Sequence, residues 1–182
     1  MTEKQVRKFD RKILWALNAQ GLRLRGLKMG SRVYIGPTLY LSDLKNIKVG
    51  NRVRIWPGLR IETYNGAVVT IEDDVALGPF CHITAAEDIT IPAKSLFTGW
   101  NTVTNITHSL DNLELHSLER PWQISPVNLG ERLFVGQGAR ILPGTSLGAG
   151  TAVGANAVVS HLDAPANAVV AGVPARVIRV KV

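Results

Sequence analysis

Four histidines and one cysteine are the side chains in this sequence that could serve as a base or a nucleophile near neutral pH. A neutral imidazole, with an unperturbed pKa near 6.5, can accept a proton at pH 7, and His108 stands in the segment Thr107-His108-Ser109-Leu110-Asp111. We expect the other histidines, His82, His116 and His161, to be structural or surface residues. The lone Cys81 excludes an internal disulfide framework and any cysteine-based zinc cluster.

Size and composition predict one folded domain. The 182 residues are 46% hydrophobic and 19% charged, which excludes disorder driven by charge. No apolar run approaches the roughly 18 residues that span a bilayer, and the N-terminus is too charged for a signal peptide, so we expect a cytoplasmic location. The net charge of +7 is uneven, since residues 61–128 hold two basic and nine acidic residues. With 6% aromatic residues as well, we expect no nucleic-acid partner.

The first part of the chain predicts one amphipathic helix, from Lys4 to about Ala19. Lysine and arginine fill most of one face, and apolar residues recur at helical spacing on the other, namely Val6, Phe9, Ile13, Leu14 and Leu17. Two roles stay open for this helix. It could cap the open end of the fold, or it could rest weakly on an anionic membrane surface.

Beyond residue 30 a strict repeat of six residues replaces the helical period. Large apolar residues recur at Val49, Ile55, Ile61, Ile71, Leu77, Ile83, Ile91, Phe97, Val103, Leu129, Val135, Ile141, Leu147, Val153 and Val159. This period fits a coil that turns a corner every six residues and returns after three sides, which makes an all-β prism of short parallel strands. We expect glycine after the apolar residue to allow the backbone dihedrals of the corners. Five coils at strand spacing would form a column of about 24 Å.

One large break interrupts this register. The gap between Val103 and Leu129 predicts that residues 109–128 leave the prism as a single long loop, and such loops on rigid scaffolds usually carry function. The chain then divides into a helical cap over residues 1–30 and a β-helical domain over residues 31–182. His108 stands where the regular coil meets the loop.

These repeats and motifs resemble the hexapeptide-repeat acyltransferases, whose repeats form a left-handed parallel β-helix. Within that superfamily, the chain is most similar to the maltose and galactoside O-acetyltransferases and to bacterial saccharide acetyltransferases. The resemblance covers about residues 47–182. It is most specific at residues 107–111, similar to the family's Thr-His-Pro-Leu-Asp, and at Ala-Gly-Val-Pro-Ala-Arg-Val-Ile over residues 171–178. The handedness follows from the resemblance alone, because right-handed crossovers are the general expectation.

The resemblance implies an acetyl-CoA-dependent O-acetyltransferase acting on a hydroxyl of a saccharide or saccharide precursor. His108 would be the general base of a direct transfer, while Asp111 would either orient the imidazole or start the loop as a turn residue. Cys81 is expected to be buried and unreactive, so no acyl-enzyme is required. No metal is expected, because the similar zinc-dependent carbonic anhydrases need two histidines five residues apart, and here Leu113 stands five residues after His108.

Coenzyme contacts follow from the same resemblance. It places CoA phosphates at Arg176 and Arg179, and Lys181 belongs to the same cationic cluster. In the family, the pantetheine arm lies in a groove between neighbouring prisms, where Ala155 and Ser160 match its contacts. A groove shared by two prisms implies a homotrimer.

The acceptor is less defined, because Ala85 stands where the sugar-acetylating relatives carry an acceptor-binding aspartate. Glu87 or Asp88 could substitute for that carboxylate. Three further side chains are candidates for sugar contacts: Trp100, Asn101 and Trp122. The acceptor could also be an amino sugar on a nucleotide carrier, which would make the reaction an N-acetylation. A non-catalytic scaffold is the third alternative.

Overall fold

The fold, a computed structural model, is a parallel β-helix of about seven turns, in agreement with the left-handed β-helix expected from the resemblance. The structure describes residues 3–111 and 113–181, with side chains from residue 11 onward. In each turn the chain passes along three flat faces in the same order. Neighbouring turns pair through parallel hydrogen-bonded strands, so equivalent residues of successive turns lie above one another.

The three faces are built from short strands numbered in chain order. Face 1 contains two sheets, made of β1 (Lys28–Met29), β4 (Ile47–Val49), β7 (Val69–Ile71) and β10 (Ile89–Ile91), and of β15 (Asn128–Leu129), β18 (Ser146–Leu147) and β21 (Asp163–Ala164). Face 2 contains β2 (Tyr34–Ile35), β5 (Arg54–Ile55), β8 (Ala76–Leu77), β11 (Leu96–Phe97), β16 (Phe134–Val135), β19 (Ala152–Val153), β22 (Ala168–Gly172) and β23 (Ala175–Val180). Face 3 contains β3 (Tyr40–Leu41), β6 (Arg60–Thr63), β9 (His82–Ala85), β12 (Thr102–Thr104), β17 (Arg140–Ile141) and β20 (Val158–Val159).

The repeated apolar residues form the core along the prism axis. On face 2, seven of them lie in register and are at most 1% exposed: Ile35, Ile55, Leu77, Phe97, Val135, Val153 and Val170. Of the fifteen positions that define the six-residue repeat, fourteen are buried and Leu129 is half-buried. The six-residue period is therefore confirmed as the inward-facing period.

The prism is longer than the five coils that the repeat predicted. An additional first turn carries Met29, Ile35 and Leu41 in register with the second turn. A 3₁₀ turn over Leu44–Asn46 separates it from β4 and hides the six-residue spacing. The last turn was also missed, because a small residue, Ala164, takes the inward position there.

The glycines that follow the inward apolar residue serve close approach of the backbone rather than unusual dihedrals, so our explanation for them was wrong. A Cβ on Gly136 would lie 2.5 Å from the backbone nitrogen of Ala155 in the next turn. The left-handed corner position lies two residues further on, and it often holds a residue other than glycine, as at Trp100 with a φ of 57°.

Helix α1 covers the edge strand of face 2 at the first turn. It spans Glu3–Leu24 and extends further than predicted. The amide Nδ2 of Asn18 donates to the carbonyl oxygens of Ile35 at 3.0 Å and Gly36 at 3.1 Å, at the end of β2. Leu22 is 5% exposed and joins the core. The helix therefore supplies donors to carbonyls that no preceding turn can reach.

The apolar stripe of α1 lies largely away from the prism. Ile13, Leu14 and Leu17 are 45%, 60% and 63% exposed, whereas the packed side uses Asn18 and Leu22. Five further residues that predicted the helix belong to α1, but their side chains lie outside the described part of the structure: Lys4, Val6, Arg7, Lys8 and Phe9. Over residues 3–111 and 113–181, no helix has the length and apolar character that a bilayer crossing requires.

The long loop is a hairpin that starts earlier than predicted. Strand β13 (Ile106–His108) pairs antiparallel with β14 (Trp122–Ile124), so the chain leaves the prism directly after β12 rather than at residue 109. The hairpin projects from the corner between faces 3 and 1, before the chain returns as β15. Its two paired strands hold His108 on regular backbone instead of on a free loop.

Candidate active site

The imidazole of His108 is oriented by a backbone carbonyl. His108 pairs with Trp122 across the hairpin, and its Nδ1 lies 3.2 Å from the carbonyl oxygen of Arg120. Because a carbonyl can only accept, this contact places the proton on Nδ1 and leaves the lone pair of Nε2 for another proton. The side chain is exposed. His108 therefore has the tautomer and the access that a general base needs.

Asp111 takes the role of a turn residue in this structure. Its Oδ2 accepts a hydrogen bond of 2.7 Å from the hydroxyl of Ser109, and its own backbone N–H donates to the same hydroxyl oxygen at 3.1 Å. The Nδ1 atom of His108 is engaged by the Arg120 carbonyl instead. Of the two roles considered for Asp111, the geometry favours the start of the loop.

The base of the hairpin is held by Asn105, a buried residue that was not among the predicted site residues. Its Oδ1 accepts from the backbone N–H of Ala86 at 2.9 Å, and its Nδ2 donates to the carbonyl of Glu87 at 2.8 Å. The carboxylate of Asp88 accepts from the backbone N–H of Val68 at 2.8 Å. Both acidic candidates thus lie at the corner where the hairpin emerges, and the side chain of Glu87 is exposed.

A polar network on the outer surface of face 3 continues from this corner. The ring of Trp122 lies edge-on to His108 at 6.5 Å and edge-on to Tyr64 at 4.9 Å between centroids. The hydroxyl of Tyr64 donates to Glu62 Oε2 at 2.8 Å, and His82 Nε2 lies 2.9 Å from Glu62 Oε1. An aromatic wall therefore connects the candidate base to a charged surface.

Two further residues complete this network, which is called the Glu62 network below. Arg60 donates to Glu62, and Thr84 Oγ1 lies 3.0 Å from His82 Nε2. Burial raises the pKa of Glu62, but the hydrogen bonds from Arg60, Tyr64 and His82 outweigh it and hold that pKa below its ordinary value. The hydrogen bond to Glu62, followed by burial, raises the pKa of the Tyr64 phenol. The network therefore holds an ionised Glu62 and a protonated Tyr64 at neutral pH.

The sequence did contain a signal for the Glu62 network. Arg60 and His82 each precede an inward apolar residue, and those two residues, Ile61 and Ile83, lie in register. Because side chains alternate along a strand, Arg60 and His82 must both face outward, one turn apart. His82 was expected to be a structural or surface residue, and it lies on the outer surface of face 3 as a member of this network.

Trp100 and Asn101 do not join this cluster. Trp100 lies at the opposite edge of face 3 and stacks on Phe80 with ring centroids 4.4 Å apart. Asn101 is 1% exposed, and its amide accepts from the Gly99 N–H at 2.9 Å and donates to the Gly136 carbonyl at 2.7 Å. Asn101 thus links turns on either side of the hairpin.

Cys81 is buried, as the repeat predicted. It is 3% exposed, and burial raises the pKa of its thiol to about 12. A thiol with such a pKa is almost entirely protonated at neutral pH and is a poor nucleophile.

The predicted coenzyme residues are exposed on the last turns. Ala155 lies in the turn between β19 and β20, and Ser160 directly follows β20, so the two residues flank face 3 from opposite corners. The C-terminal segment folds back as β23, antiparallel to β22, where Arg179 pairs with Val169 and Arg176 with Ala171. The side chains of Arg176, Arg179 and Lys181 are exposed. The cationic cluster thus lies on and just beyond an ordered strand rather than on a free tail.

Metal ligands do not gather in the part of the chain that the structure describes. No group of three or more His, Cys, Asp or Glu side chains converges within residues 3–111 and 113–181.

Comparisons with known proteins confirm the resemblance to hexapeptide-repeat acyltransferases. WbbJ of Escherichia coli K12, a candidate lipopolysaccharide biosynthesis O-acetyl transferase, is 32% identical over 129 residues, which cover 67% of this chain and 65% of WbbJ. The chain therefore spans less than two thirds of the length of this relative. No protein-family model matches the chain.

Two solved structures share the fold. AntD, an N-acyltransferase from Bacillus cereus in complex with dTDP-4-amino-4,6-dideoxyglucose and coenzyme A, superposes with a TM-score of 0.78 at 20% identity, over 90% of this chain and 89% of AntD. A galactoside acetyltransferase in complex with coenzyme A gives a TM-score of 0.53 at 25% identity, over 84% of this chain and 64% of its own. The AntD likeness covers nearly the whole chain and supports the fold.

The Glu62 network makes the folding stability depend on pH. In the unfolded chain Glu62 has its ordinary pKa of about 4.3. The folded pKa is lower. The contribution of the carboxylate to folding stability is therefore complete above the unfolded pKa and is lost as the pH falls through the folded pKa. We expect Glu62→Gln to lower the melting temperature at pH 6 and to converge with the unmodified protein toward pH 3. Thermal melts followed by circular dichroism between these pH values test this.

The matched control is Glu131→Gln, which alters a more exposed carboxylate on the side of face 1. It should change the melting temperature little at any of these pH values. A difference between Glu62→Gln and the unmodified protein that stayed constant from pH 6 to pH 3 would contradict the assigned role of the carboxylate.

Proposed function

We propose that this protein transfers an acetyl group from acetyl-CoA to a hydroxyl of a saccharide or saccharide precursor, with His108 as the general base. The observation that carries the proposal is the fixed imidazole. The Arg120 carbonyl occupies Nδ1, the hairpin ladder fixes the backbone, and Nε2 remains able to accept a proton. This arrangement occurs in the segment that resembles the catalytic motif of the O-acetyltransferases.

The chemistry requires one proton relay and no covalent enzyme intermediate. Nε2 of His108 takes the proton of the acceptor hydroxyl as its oxygen attacks the thioester carbonyl. The new C–O bond forms, the C–S bond breaks, and the imidazolium returns the proton to the departing CoA thiolate. Cys81 has no part in this route, because it is buried and its thiol pKa is raised to about 12.

Coenzyme A is proposed as the carrier because both solved relatives described above were obtained with it. Arg176 and Arg179 would bind the phosphates of CoA, assisted by Lys181. Their side chains are exposed, so they are accessible to the phosphate groups, and β23 fixes the backbone of the two arginines. Ala155 and Ser160 would contact the pantetheine arm, where small side chains let a thin chain approach the backbone.

The acceptor would lie over face 3, beside the hairpin. Trp122 and Tyr64 supply aromatic surface suited to the C–H face of a sugar, and Glu87 supplies an exposed carboxylate at the same corner. Asn101 is left out of this proposal because backbone groups occupy its amide. Trp100 is also left out, because it lies near Ala155 at the corner between faces 2 and 3, away from the hairpin.

A homotrimer would complete the coenzyme groove. The outer surface of face 2 carries an apolar row in register, made of Ala76, Leu96, Phe134 and Ala152, in which Leu96 and Phe134 are 39% and 49% exposed. A flat apolar sheet face of this kind is suited to burial against another copy. Ala155 follows this face at its corner with face 3, so a second prism packed there would supply the other wall of the groove.

Helix α1 could combine both roles that the sequence left open. Its packed side covers the end of the prism through Asn18 and Leu22. Ile13, Leu14 and Leu17 remain exposed on the same helix, and we propose these three residues for a weak contact with an anionic membrane surface.

Replacing His108 tests the general base. We expect His108→Ala to lower turnover by about 10² to 10⁴ while CoA affinity and melting temperature change little, because the base acts on the proton rather than on binding. Steady-state kinetics with an acceptor found in a panel of sugars, nucleotide sugars and oligosaccharides measure this. The control His116→Ala, in the same hairpin, should keep near-normal turnover.

Near-normal turnover of His108→Ala would place the base elsewhere. The same panel separates the alternatives, because an amino sugar on a nucleotide carrier as the preferred acceptor would make the reaction an N-acetylation. A protein that binds no CoA would be a scaffold rather than an acetyltransferase.

The arginines of β23 should set the affinity for CoA. We expect Arg176→Ala with Arg179→Ala to weaken CoA binding by roughly tenfold or more, and the affinity of the unmodified protein to fall with salt, because ions screen contacts between exposed cations and phosphates. Calorimetric titration measures both effects. The control Arg23→Ala with Arg25→Ala removes two exposed cations near the end of α1 and should leave affinity unchanged; equal affinities of all three proteins would remove β23 from the site.

The mass in solution tests the trimer. Light scattering should give about 60 kDa, three times the chain mass of 19.8 kDa. We expect Phe134→Glu to dissociate the assembly, because it places a charge in the apolar row of face 2, whereas Leu39→Glu, at a residue 66% exposed outside that row, should not. A monomer of about 20 kDa for the unmodified protein would contradict the shared groove.

A further inference from the structure

A pocket between helix α1 and face 2 has no role in the proposed reaction. Its volume is about 370 Å³, and it lies at the first turns of the prism. Its walls include Trp15 of the helix, Trp56 after β5 and Tyr34 of β2. The candidate base belongs to the hairpin at the corner between faces 3 and 1, so the two sites lie on different sides of one chain.

Positive charge is concentrated around this pocket. Arg32, Arg52 and Asp74 occupy the left-handed corner position of three successive turns, with φ values of 57°, 57° and 60°. Arg52 is already neutralised, because its guanidinium makes two hydrogen bonds of 2.7 Å to the carboxylate of Asp74. Arg54 and Lys12 add two further cations to the lining.

The remaining cations are not held in ion pairs in the part of the chain that the structure describes, although Asp74 attracts Arg54 at longer range. Within the described residues, Arg32, Arg54 and Lys12 make no ion pair, although they line one pocket together. Like charges held around one pocket repel one another, and a bound anion would remove that repulsion. Phosphate suits this role, because the guanidinium fork matches its oxygens in geometry and charge.

The aromatic side of the pocket indicates that its ligand carries a ring as well as a negative charge. The rings of Trp15 and Trp56 lie edge to face, with centroids 6.0 Å apart and planes at 73°. Tyr34 pairs in register with Arg54, so an aromatic ring and a cation stand next to each other on face 2. Indole and phenol surfaces favour a flat base or the C–H face of a sugar. A volume of about 370 Å³ is enough for a small ligand that carries both a ring and phosphate.

We propose that this pocket binds a phosphate ester of a ring-bearing alcohol, the chemistry shared by nucleotides and sugar phosphates. The guanidinium groups of Arg32 and Arg54, with the ammonium group of Lys12, hold the phosphate. Trp15, Trp56 and Tyr34 hold the ring. The site goes beyond the proposed acetyl transfer, since no bond of the ligand is made or broken there.

Calorimetric titration of the unmodified protein tests the site with three probes: inorganic pyrophosphate, uridine diphosphate and glucose 1-phosphate. We expect pyrophosphate to bind more weakly than at least one probe with a ring, because it leaves the aromatic wall unused. The tighter ring-bearing probe then distinguishes a nucleotide from a sugar phosphate as the source. Each titration is repeated with saturating CoA, which should leave the affinity unchanged.

Two pairs of substitutions locate the binding. Arg32→Gln with Arg54→Gln should weaken the best probe by roughly tenfold or more, whereas the control Arg23→Gln with Arg25→Gln removes the same charge outside the pocket and should have little effect. Trp56→Phe should weaken a ring-bearing probe more than pyrophosphate. Circular dichroism establishes that each variant is folded.

Four results would overturn the proposal. These are the absence of binding of any probe at millimolar concentration, unchanged affinity in Arg32→Gln with Arg54→Gln, an equal loss in the control pair, and displacement of the probe by CoA. The last would make the pocket part of the coenzyme site. Because none of these titrations measures acetyl transfer, failure here is distinguishable from failure of the proposed function.

Discussion

Parallel pairing of each turn with the next is the constraint on which every other feature of this molecule depends. It fixes the distance between turns at strand spacing, so the backbone after an inward residue nearly touches the backbone above it. Gly136 shows the consequence, because a Cβ there would lie 2.5 Å from the nitrogen of Ala155. The same pairing brings residues far apart in sequence into columns, as with Arg60 and His82. The Glu62 network and the stacked corner positions of Arg32, Arg52 and Asp74 are both products of this stacking.

Most of the scaffold could be predicted from the sequence because the repeat is strict. One inward apolar residue every six positions fixes which large side chains are buried, and the preference for a small residue four positions after it led to the expectation that Cys81 is buried. The predicted number of turns was too low, because the six-residue apolar repeat is interrupted or uses a small residue at the two ends of the prism. A 3₁₀ turn before β4 and the small Ala164 hid the first and last turns. The repeated glycines were noticed in the sequence, but the need for glycine comes from the close approach of the next turn. That contact cannot be deduced from the residues of one turn alone.

The candidate site was predictable in place but not in its contacts. His108 was found from its motif, whereas its carbonyl partner belongs to Arg120, and no periodicity relates residues twelve apart across an irregular loop. Asp111 and Asn101 show the same limit, since the partners of a polar side chain depend on local backbone geometry. A side chain's partners can be deduced from the repeat only where it lies on a regular strand, as in the Glu62 network.

Each end of the sheet on face 2 is covered by an element that differs from the regular turns. A stack of identical parallel turns has no intrinsic limit, and an open edge strand would accept the edge of another molecule. At one end, Asn18 of α1 occupies carbonyls at the edge of β2. At the other, β23 pairs antiparallel with β22, so the outermost strand runs against the direction of the repeat. Within the described residues, neither end of the widest sheet therefore offers the uncovered parallel edge on which a further turn of the same kind would add.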